Sequence, residues 1–416
     1  MTIDETAIRT PKRRVAATTL LRIPALRRLF LARTVSVFGD MITPIALTFA
    51  VLDSGGGATG LGIVLAARVA PEVLLLLLGG VVGDRYPRRA VLILSNGVAC
   101  VAQLLTGVLF VSGSATIWGI AALAALVGAT SAFFNPASTA AIAHVAPDNE
   151  RQATYALFAI TGNAAEVVGP GLAGLLLLVL NPGWILVLDA ASFLVSAILI
   201  GRAGTLGMQA VTTAGRSLGT EIMSGLRYVR RTRWLSALIA SACAFQLFLL
   251  ATLSVLGPLV ARNQLGGASA WAVISAALGA GGIVGSALAM HVRPKRPLLA
   301  GYSLLLLGSG PTLLLLALPA TTPILAATEF VAGIVIANFE ALESTAIATR
   351  VPSRMLSRVD SVDRFGSMAL RPIGMACIGP IAAVVGIHSA LIAAGVLTLG
   401  CVATPLFLRD VRALQG

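Results

Sequence analysis

Charged residues are scarce in this 416-residue chain: Asp, Glu, Lys and Arg together make up 11% of it, whereas soluble domains carry roughly 25%. Hydrophobic residues account for 57%, and the mean hydropathy is +0.92. A chain with so few charges cannot cover the surface of a water-soluble fold. The composition therefore excludes a soluble globular domain and predicts a protein that folds in the hydrocarbon of a bilayer.

Cysteine and histidine are also few. The cysteines Cys100, Cys243, Cys377 and Cys401 all fall inside apolar runs, and the histidines are scattered near predicted helix ends. This distribution predicts neither a disulfide framework nor a metal site. The chain also lacks the Gly-x-x-x-x-Gly-Lys-Ser/Thr loop that cradles nucleotide phosphates, so ATP is not expected as the energy source. Because no nucleophile, base or metal cluster recurs at one depth, we expect neither an enzyme nor a cofactor.

Acidic residues are the scarcer of the two charge types, and the formal net charge is +13. The lysines and arginines lie in short polar gaps between apolar runs rather than on one face of a folded domain. A nucleic-acid partner is therefore not expected. The excess positive charge instead indicates orientation in a membrane and contact with anionic lipid headgroups.

We predict an all-α membrane protein with twelve transmembrane spans, each near the roughly 20 residues that a bilayer requires. The spans cover residues 30–52, 59–82, 90–111, 116–143, 153–180, 184–201, 234–260, 269–292, 298–318, 323–348, 361–385 and 387–408. The predicted organisation is a basic tail (1–29), a six-span half (30–201), a linker (202–233), a second six-span half (234–408) and a short tail (409–416). No gap is long enough for a soluble catalytic domain.

The distribution of basic residues over this map predicts the orientation. They fall in the two tails and in the loops that follow even-numbered spans, and the opposite side receives only Arg262. By the positive-inside rule, both termini are cytoplasmic. No continuous apolar segment of signal-peptide length precedes span 1, so the tail is expected to be retained. We expect a multi-pass protein of the inner (plasma) membrane, and the Ala-, Gly- and Arg-rich composition suggests a bacterial source.

Short motifs recur between the two halves in the same order. The matched pairs lie 207, 206 and 210 residues apart: Pro87-Arg88-Arg89 with Pro294-Lys295-Arg296, Ser138-Thr139-Ala140 with Ser344-Thr345-Ala346, and Gly169-Pro170 with Gly379-Pro380. A parallel repeat of two six-span halves is typical of transporters that rock around a site at the midplane.

The linker contains an amphipathic segment. Apolar residues at helical spacing alternate with arginines over residues 217–233. This pattern predicts a basic helix lying on the inner membrane surface, where its simplest role is to tether the halves.

Between spans 2 and 3 the chain reads Gly80-Val-Val-Gly-Asp84-Arg85-Tyr-Pro-Arg88-Arg89. This loop resembles the cytoplasmic signature of the major facilitator superfamily (MFS), with Pro87 where a glycine is usual. In that family the loop faces the start of span 11, which here contains Asp363. The resemblance therefore implies an MFS fold and a conformational gate, with the candidate residues Gly80, Asp84, Arg85, Arg88, Arg89 and Asp363.

Two further segments resemble the drug-exporting branch of this superfamily. In span 5, Gly169, Pro170 and Gly174 match its Gly-Pro motif in part, with alanines at two positions where glycines are common. The start of span 1 (33–44) and Phe134-Asn135-Pro136-Ala137 in span 4 resemble macrolide-efflux-type drug:H⁺ antiporters. Span 4 lacks the buried arginine of many sugar and drug porters, so a proton relay through that residue is not expected here.

Charged residues inside the predicted spans are candidates for function, because a charge at mid-bilayer costs at least about 2.5–3.5 kcal/mol unless it has a partner, water or a proton. Asp40 lies about ten residues into span 1, and its nearest basic residue along the helix is two turns away. A carboxylate in that position can bind and release protons. We therefore expect Asp40 to carry the proton, with Glu166 in span 5 as second choice.

Other intramembrane charges can neutralise one another. Arg68 and Glu72 in span 2 are four residues apart and can pair on one helix face. Arg371 in span 11 has Glu340 in span 10 as a possible partner, among other acids of that span. Structural pairing and a role in transport remain equally open for these groups. Asp189 lies nearer the outer end of span 6.

The apolar spans imply a lipophilic or amphiphilic cargo. Six candidates for the cavity wall come from spans 4, 7 and 10: Phe133, Phe134, Phe245, Gln246, Asn338 and Phe339. Packing against lipid or neighbouring helices is the competing role for each aromatic side chain.

These features together predict a monomeric secondary transporter that exports lipophilic small molecules in exchange for protons. Two alternatives stay open. The first is a proton-coupled uptake symporter on the same fold. The second is a receptor or a lipid-moving protein without coupled transport, although a receptor would normally need larger external loops.

Overall fold

A computed structural model describes residues 20–204, 218–292 and 294–413 of the chain. Throughout these ranges the regular structure is helical, with no β-strand. The described residues form twelve spans that are long and apolar enough to cross a membrane. The spans run, in chain order, Pro24–Asp53, Gly57–Arg85, Arg88–Val111, Ile117–Val145, Arg151–Leu176, Pro182–Gly201, Arg233–Leu265, Ala268–Ala289, Pro297–Leu316, Thr322–Arg350, Arg358–Val385 and Ile387–Phe407. The predicted all-α fold with twelve spans is confirmed.

The boundaries differ from the sequence prediction at several ends. Span 1 begins at Pro24, six residues before the predicted start, because proline at the first helical turn lacks only an amide that would be unpaired there. Among the described residues, three short helices lie outside the spans: Asp148–Glu150, Leu218–Arg231 and Arg409–Ala413. The predicted amphipathic helix is thus present in the linker, while 205–217 lies outside the described residues.

Spans 9 and 11 are each built from two helices. Span 9 consists of Pro297–Gly308 and Thr312–Leu316, and span 11 continues from the helix Ser353–Met368 into Arg371–Val385. Each second helix lies beside a proline near its start, whose missing N–H cannot bond back to the first helix. The sequence prediction treated both as continuous helices.

Span 7 contains two π-helical turns. Its α-helical segments Arg233–Phe245 and Ala251–Val260 are separated by Gln246–Leu250, and Ala261–Leu265 forms the second π-turn. Such turns insert a residue into the helix and often mark functional positions.

The two halves repeat one packing scheme. In the first half, span 6 packs on spans 1 and 3, and span 2 packs on span 4. The same kind of contact joins spans 8 and 10 in the second half. The halves meet where span 2 packs on span 11 and where span 5 packs on span 8. These two seams exchange places when the halves are interchanged.

Glycines permit close approach along both seams. A Cβ at Gly379 of span 11 would meet the backbone of Ala58 in span 2, and one at Gly174 of span 5 would overlap Ala272 of span 8. Small residues at such positions let helix backbones approach. All of these contacts lie toward the end of the bundle formed by the short connections after odd-numbered spans. We call it the closed end.

An ion pair also joins the halves at the closed end. The Arg262 guanidinium at the end of span 7 lies 3.2 Å from the Asp53 carboxylate at the end of span 1. The basic residue that the sequence placed alone on this side is therefore bound to an acid of the other half.

The opposite end of the bundle carries the even-numbered connections, and we call it the basic end. Here Arg28 donates to the Arg202 carbonyl at 2.5 Å, and Arg89 donates to the Gly201 carbonyl. Both arginines thereby satisfy free carbonyls at the C-terminus of span 6, where positive charge is also favoured by the helix dipole. The surface helix Leu218–Arg231 packs on the helix Ser353–Met368 that begins span 11.

Replacing Gly379 with leucine should destabilise the contact between spans 2 and 11. The new side chain would force the backbone of Ala58 to move, at a cost of about 1–3 kcal/mol for overpacking. We expect a lower thermal unfolding temperature in detergent. Gly400→Leu in span 12 is the matched control, because a Cβ there has no neighbour within 4 Å. Equal unfolding temperatures for the two variants would contradict the assignment of this seam.

Candidate transport site

A cavity of about 930 Å³ lies between the two halves. Spans 1–6 contribute most of its wall, and spans 7, 8 and 11 close it from the other half. The wall extends from Arg33 and Tyr155 toward the basic end to Thr48 and Trp271 toward the closed end. It is therefore a deep central chamber enclosed by residues of both halves.

The charged residues of the spans converge on this chamber. Asp40, Arg68, Glu72, Glu166 and Arg371 all line it. The Arg68 guanidinium lies 3.7 Å from the Asp40 carboxylate, and both side chains are partly exposed to the cavity. Charges in a membrane protein are tolerated where they pair or face water, and this wall provides both conditions.

The arginines of both predicted charge pairs interact with other acids in the structure. Arg68 pairs with Asp40 on the neighbouring span rather than with Glu72 on its own helix. The acid that acts electrostatically on Arg371 is Glu72 rather than the predicted Glu340. The reason is topological: span 2 packs directly on span 11, and Glu72 and Arg371 both line the chamber.

Glu340 lies away from the cavity wall. Its electrostatic neighbours are carboxylates, chiefly Glu166 of the first half, which does line the cavity. The backbone of Glu166 is also in close contact with Gly279 of span 8. Glu166 thus lies both at the cavity and at the seam between spans 5 and 8.

Arg33 supplies a second cation on the same wall. Its guanidinium donates to the Asn135 side chain at 3.3 Å and lies 5.3 Å from the centre of the Phe134 ring. This contact holds the basic-end portion of span 1 against span 4. Span 4 has no arginine of its own, and Arg33 places a guanidinium beside it from span 1.

Asp189 belongs to a buried polar cluster on the other side of span 1, and the sequence did not predict this cluster. The Asp189 carboxylate of span 6 is 3% exposed and accepts hydrogen bonds from Thr43 at 2.5 Å and Ser192 at 3.2 Å. Gln103 of span 3 donates to the Thr43 hydroxyl at 3.2 Å. In the sequence, an acid within an otherwise apolar span was the one sign of this cluster. Its partners depend on how spans 1, 3 and 6 pack, which the sequence does not reveal.

The Gly-Pro motif of span 5 connects this region to the other half. A Cβ at Gly169 would overlap Met41, the residue after Asp40, and Gly174 contacts Ala272 of span 8. Pro170 lines the cavity between them. The motif therefore lies between the Asp40 region of span 1 and the seam with the second half.

Of the six aromatic and amide candidates for the cavity wall, Phe134 lies in it, and the other five lie elsewhere. Phe339 stacks on Tyr302 with ring centres 4.9 Å apart, and Asn338 donates to the Gly285 carbonyl at 3.0 Å. Phe133 packs in the core on the basic side of the first half, Phe245 is buried in the main core, and Gln246 begins the π-turn of span 7. These side chains fill space between helices rather than face the chamber.

The gate candidates are described only in part. The side chains of Gly80, Asp84 and Arg85 lie outside the described residues. Arg88 donates to the Ala140 carbonyl of span 4 at 3.3 Å. In span 11, Asp363 accepts from Ser367 at 3.5 Å. The two arginines after the loop thus bind carbonyls of their own half.

Two six-span halves around a central chamber form the architecture of a secondary transporter. The chain belongs to the Major Facilitator Superfamily, because the sequence model of that family matches residues 29–318. The resemblance to its drug-efflux branch is confirmed by relatives over nearly the whole chain.

Relatives that match nearly the whole chain include proteins named multidrug efflux pumps. The multidrug efflux pump Tap of Mycolicibacterium fortuitum is 28% identical over 420 residues, which cover 95% of this chain and 98% of that protein. Tap of Mycobacterium tuberculosis H37Rv is 26% identical, covering 95% and 94%. The MFS-type transporter YfiS of Bacillus subtilis is 24% identical over 90% of each chain.

Solved structures share the fold at low sequence identity. The nucleoside transporter NupG superimposes with a TM-score of 0.79 at 9% identity, covering 92% of this chain and all of that one. A bacterial homologue of the human lysosomal transporter Spinster, in an inward-facing and occupied conformation, gives 0.66 at 13% identity, covering 92% and 97%. These likenesses show the MFS fold alone.

Substituting Gly39 with alanine should disrupt the polar cluster behind span 1. The added methyl would overlap the Asp189 carboxylate and the Ser192 hydroxyl, and a buried group that loses its partners costs about 1–3 kcal/mol. We expect a lower unfolding temperature, with partial recovery in Gly39→Ala/Ser192→Ala. Gly97→Ala in span 3 is the control, because its Cβ meets nothing within 4 Å. Identical melting of Gly39→Ala and the control would contradict the tight packing of Asp189 on span 1.

Proposed function

We propose that this protein exports lipophilic or amphiphilic small molecules in exchange for protons. The observation that carries the proposal is the ion pair between Asp40 and Arg68 in the wall of the chamber between the halves. The names of the Tap relatives support export of drug-like compounds. A proton moving inward supplies roughly 2.3 kcal/mol per 100 mV of membrane potential, in addition to any pH difference.

The pair offers a direct means of coupling. Protonation of Asp40 removes the negative charge that holds Arg68. Arg68 then has Glu72 one helical turn away as its next acid, and Glu72 in turn acts on Arg371 of span 11. The charges from Asp40 to Arg371 thus form a series from span 1 across the seam between spans 2 and 11. A proton at one end changes the electrostatic attraction between the halves.

The side of the membrane from which cargo enters the chamber is inferred from the position of the closed end and from the distribution of basic residues. The chamber wall reaches Arg33 and Tyr155 toward the basic end, whereas glycine contacts and the pair of Asp53 with Arg262 join the halves at the other end. The positive-inside rule places the basic end in the cytoplasm. We infer that cargo enters the chamber from the cytoplasmic side.

The wall chemistry suits an amphiphilic cargo. Aromatic side chains at Phe134, Tyr155, Phe158 and Trp271 offer apolar surface. The carboxylates and hydroxyls between them provide a few polar contacts, as is usual in small-molecule sites. A large chamber with dispersed apolar contacts favours shape tolerance over recognition of one compound.

Asp40→Asn should abolish proton-driven transport while the protein still folds, because the amide keeps the size of the carboxylate but cannot exchange a proton at neutral pH. The measurement is accumulation of fluorescent lipophilic compounds in energised inverted vesicles, with and without a protonophore. We expect wild-type accumulation to collapse with the protonophore and the variant to show only passive uptake.

Asp148→Asn is the control for this experiment, since Asp148 is an exposed acid at the basic end that pairs with Arg151. It should transport like the wild type. Normal protonophore-sensitive accumulation by folded Asp40→Asn would overturn the coupling role of Asp40. Absence of accumulation by wild-type protein for every compound would argue for uptake or lipid movement instead.

Arg262→Gln should favour opening of the closed end, because it removes the ion pair that joins the halves there. A partly exposed pair contributes about 0.2–1 kcal/mol, so the outward-open population should rise by up to about fivefold. Double electron–electron resonance between nitroxides at Ser54→Cys and Asn263→Cys, in a background without native cysteines, measures this distance directly. We expect a larger long-distance fraction in nanodiscs.

Arg364→Gln is the matched control, because Arg364 forms an exposed pair with Asp360 on its own helix. Its distance distribution should equal that of the wild type. If Arg262→Gln leaves the distribution unchanged as well, the pair does not hold the closed end.

A further inference from the structure

A second cavity opens on the outer surface of the first half. This lateral crevice has a volume of about 390 Å³ and lies between spans 1, 5 and 6, within the range of about 300–1,000 Å³ that is usual for small-molecule sites. Its walls are apolar and its floor carries polar groups, among them Thr34, Asp189 and Ser192.

The crevice faces outward rather than into the central chamber. At its rim, Leu188 is 53% exposed and Leu172 is 36% exposed. On span 1 its wall is formed at Phe38 and Ile42, near the middle of that span, so the opening lies in the hydrocarbon layer. A ligand would therefore come from the acyl-chain region.

The floor of the crevice holds a carboxylate with unused acceptor positions. Asp189 accepts one hydrogen bond on each oxygen, from Thr43 and Ser192, and a carboxylate has about four acceptor positions. In the part of the chain that the structure describes, no lysine or arginine forms an ion pair with Asp189.

We propose that the lateral crevice binds lipophilic ammonium compounds, with the hydrocarbon chain between spans 1, 5 and 6 and the ammonium on Asp189. An ammonium has three donors and no acceptor, which matches the free acceptor positions on the Asp189 carboxylate and the oxygen of the neighbouring Ser192 hydroxyl. A hydrogen bond between an ammonium and a carboxylate is charge-assisted and is stronger than one between neutral groups. A neutral hydrocarbon chain would occupy the space between the apolar walls but would donate no hydrogen bond to the Asp189 carboxylate.

This site is distinct from the chamber at Asp40, although Thr34 lines both cavities. Gly39 separates them: its backbone packs on Asp189 and Ser192, and the next residue points its carboxylate toward Arg68. Binding in the crevice does not require that Asp40 exchange protons. The inference therefore stands or fails separately from the proposed function.

Photolabelling tests the inference without transport. Dodecylamine with a diazirine in its chain is the probe, the matching diazirine dodecanol is the neutral comparison, and the purified full chain is held in phosphatidylcholine nanodiscs at neutral pH. Labelled peptides are mapped by mass spectrometry. We expect the amine to label the segments around Phe38 and Leu188, and unlabelled dodecylamine to displace it about tenfold more effectively than dodecanol.

Two variants distinguish the effect of the Asp189 charge from the effect of the space in the crevice. Asp189→Asn should reduce crevice labelling by the amine about tenfold and leave labelling by the alcohol unchanged. Leu188→Trp should fill the opening and reduce both. Leu194→Trp is the control, because Leu194 is exposed on the same span and does not line the crevice.

The outcomes divide cleanly. Amine-selective labelling that Leu188→Trp removes and Leu194→Trp retains supports the site even if Asp189→Asn does not fold. Equal labelling by amine and alcohol, or labelling confined to peptides of the central chamber, would overturn the proposal.

Discussion

A charged side chain in the hydrocarbon layer has no water to solvate it, and the arrangement of this bundle depends on that constraint. Asp40, Arg68, Glu72 and Arg371 come from three spans, yet all face one chamber. Each would be costly on the lipid side of its own helix. Together they require spans 1, 2 and 11 to keep particular faces toward the centre. The Asp40–Arg68 pair is therefore an organising contact of the first half as well as the candidate coupling site.

The same constraint explains why the seams between the halves are built from glycine. Outside the charged chamber, small residues let helices of the two halves approach closely. Gly379 against Ala58 and Gly174 against Ala272 form such contacts at the closed end. These glycine contacts form no polar bonds of their own, and the Asp53–Arg262 pair beside them is partly exposed. A seam of this kind can part and re-form with modest energetic cost, whereas a seam of buried ion pairs would resist opening.

Much of the fold could be predicted from the sequence, because span number and the two-half repeat depend on local hydrophobicity and repeated motifs. The position of Asp40 within span 1 followed from counting residues. Charge partners could not be predicted in this way: Glu72 influences Arg371 because spans 2 and 11 pack together across the halves. The positions of the aromatic side chains could not be predicted either, because the lipid-facing and core-facing sides of these helices are equally apolar. Phe339 against Tyr302 is such a case.

Span 1 separates two acids with different surroundings, and this difference assigns them different roles. Asp40 lies beside a guanidinium in a chamber that both halves enclose, so its charge is balanced by a group that can move to another acid. Asp189 is held by hydroxyl groups of spans 1 and 6 within one half, and rocking of the halves need not change its contacts. A coupling site must alter its environment as the halves move. By that requirement Asp40 suits the exchange of protons, whereas Asp189 suits a fixed site that a lipophilic cation can occupy in either conformation.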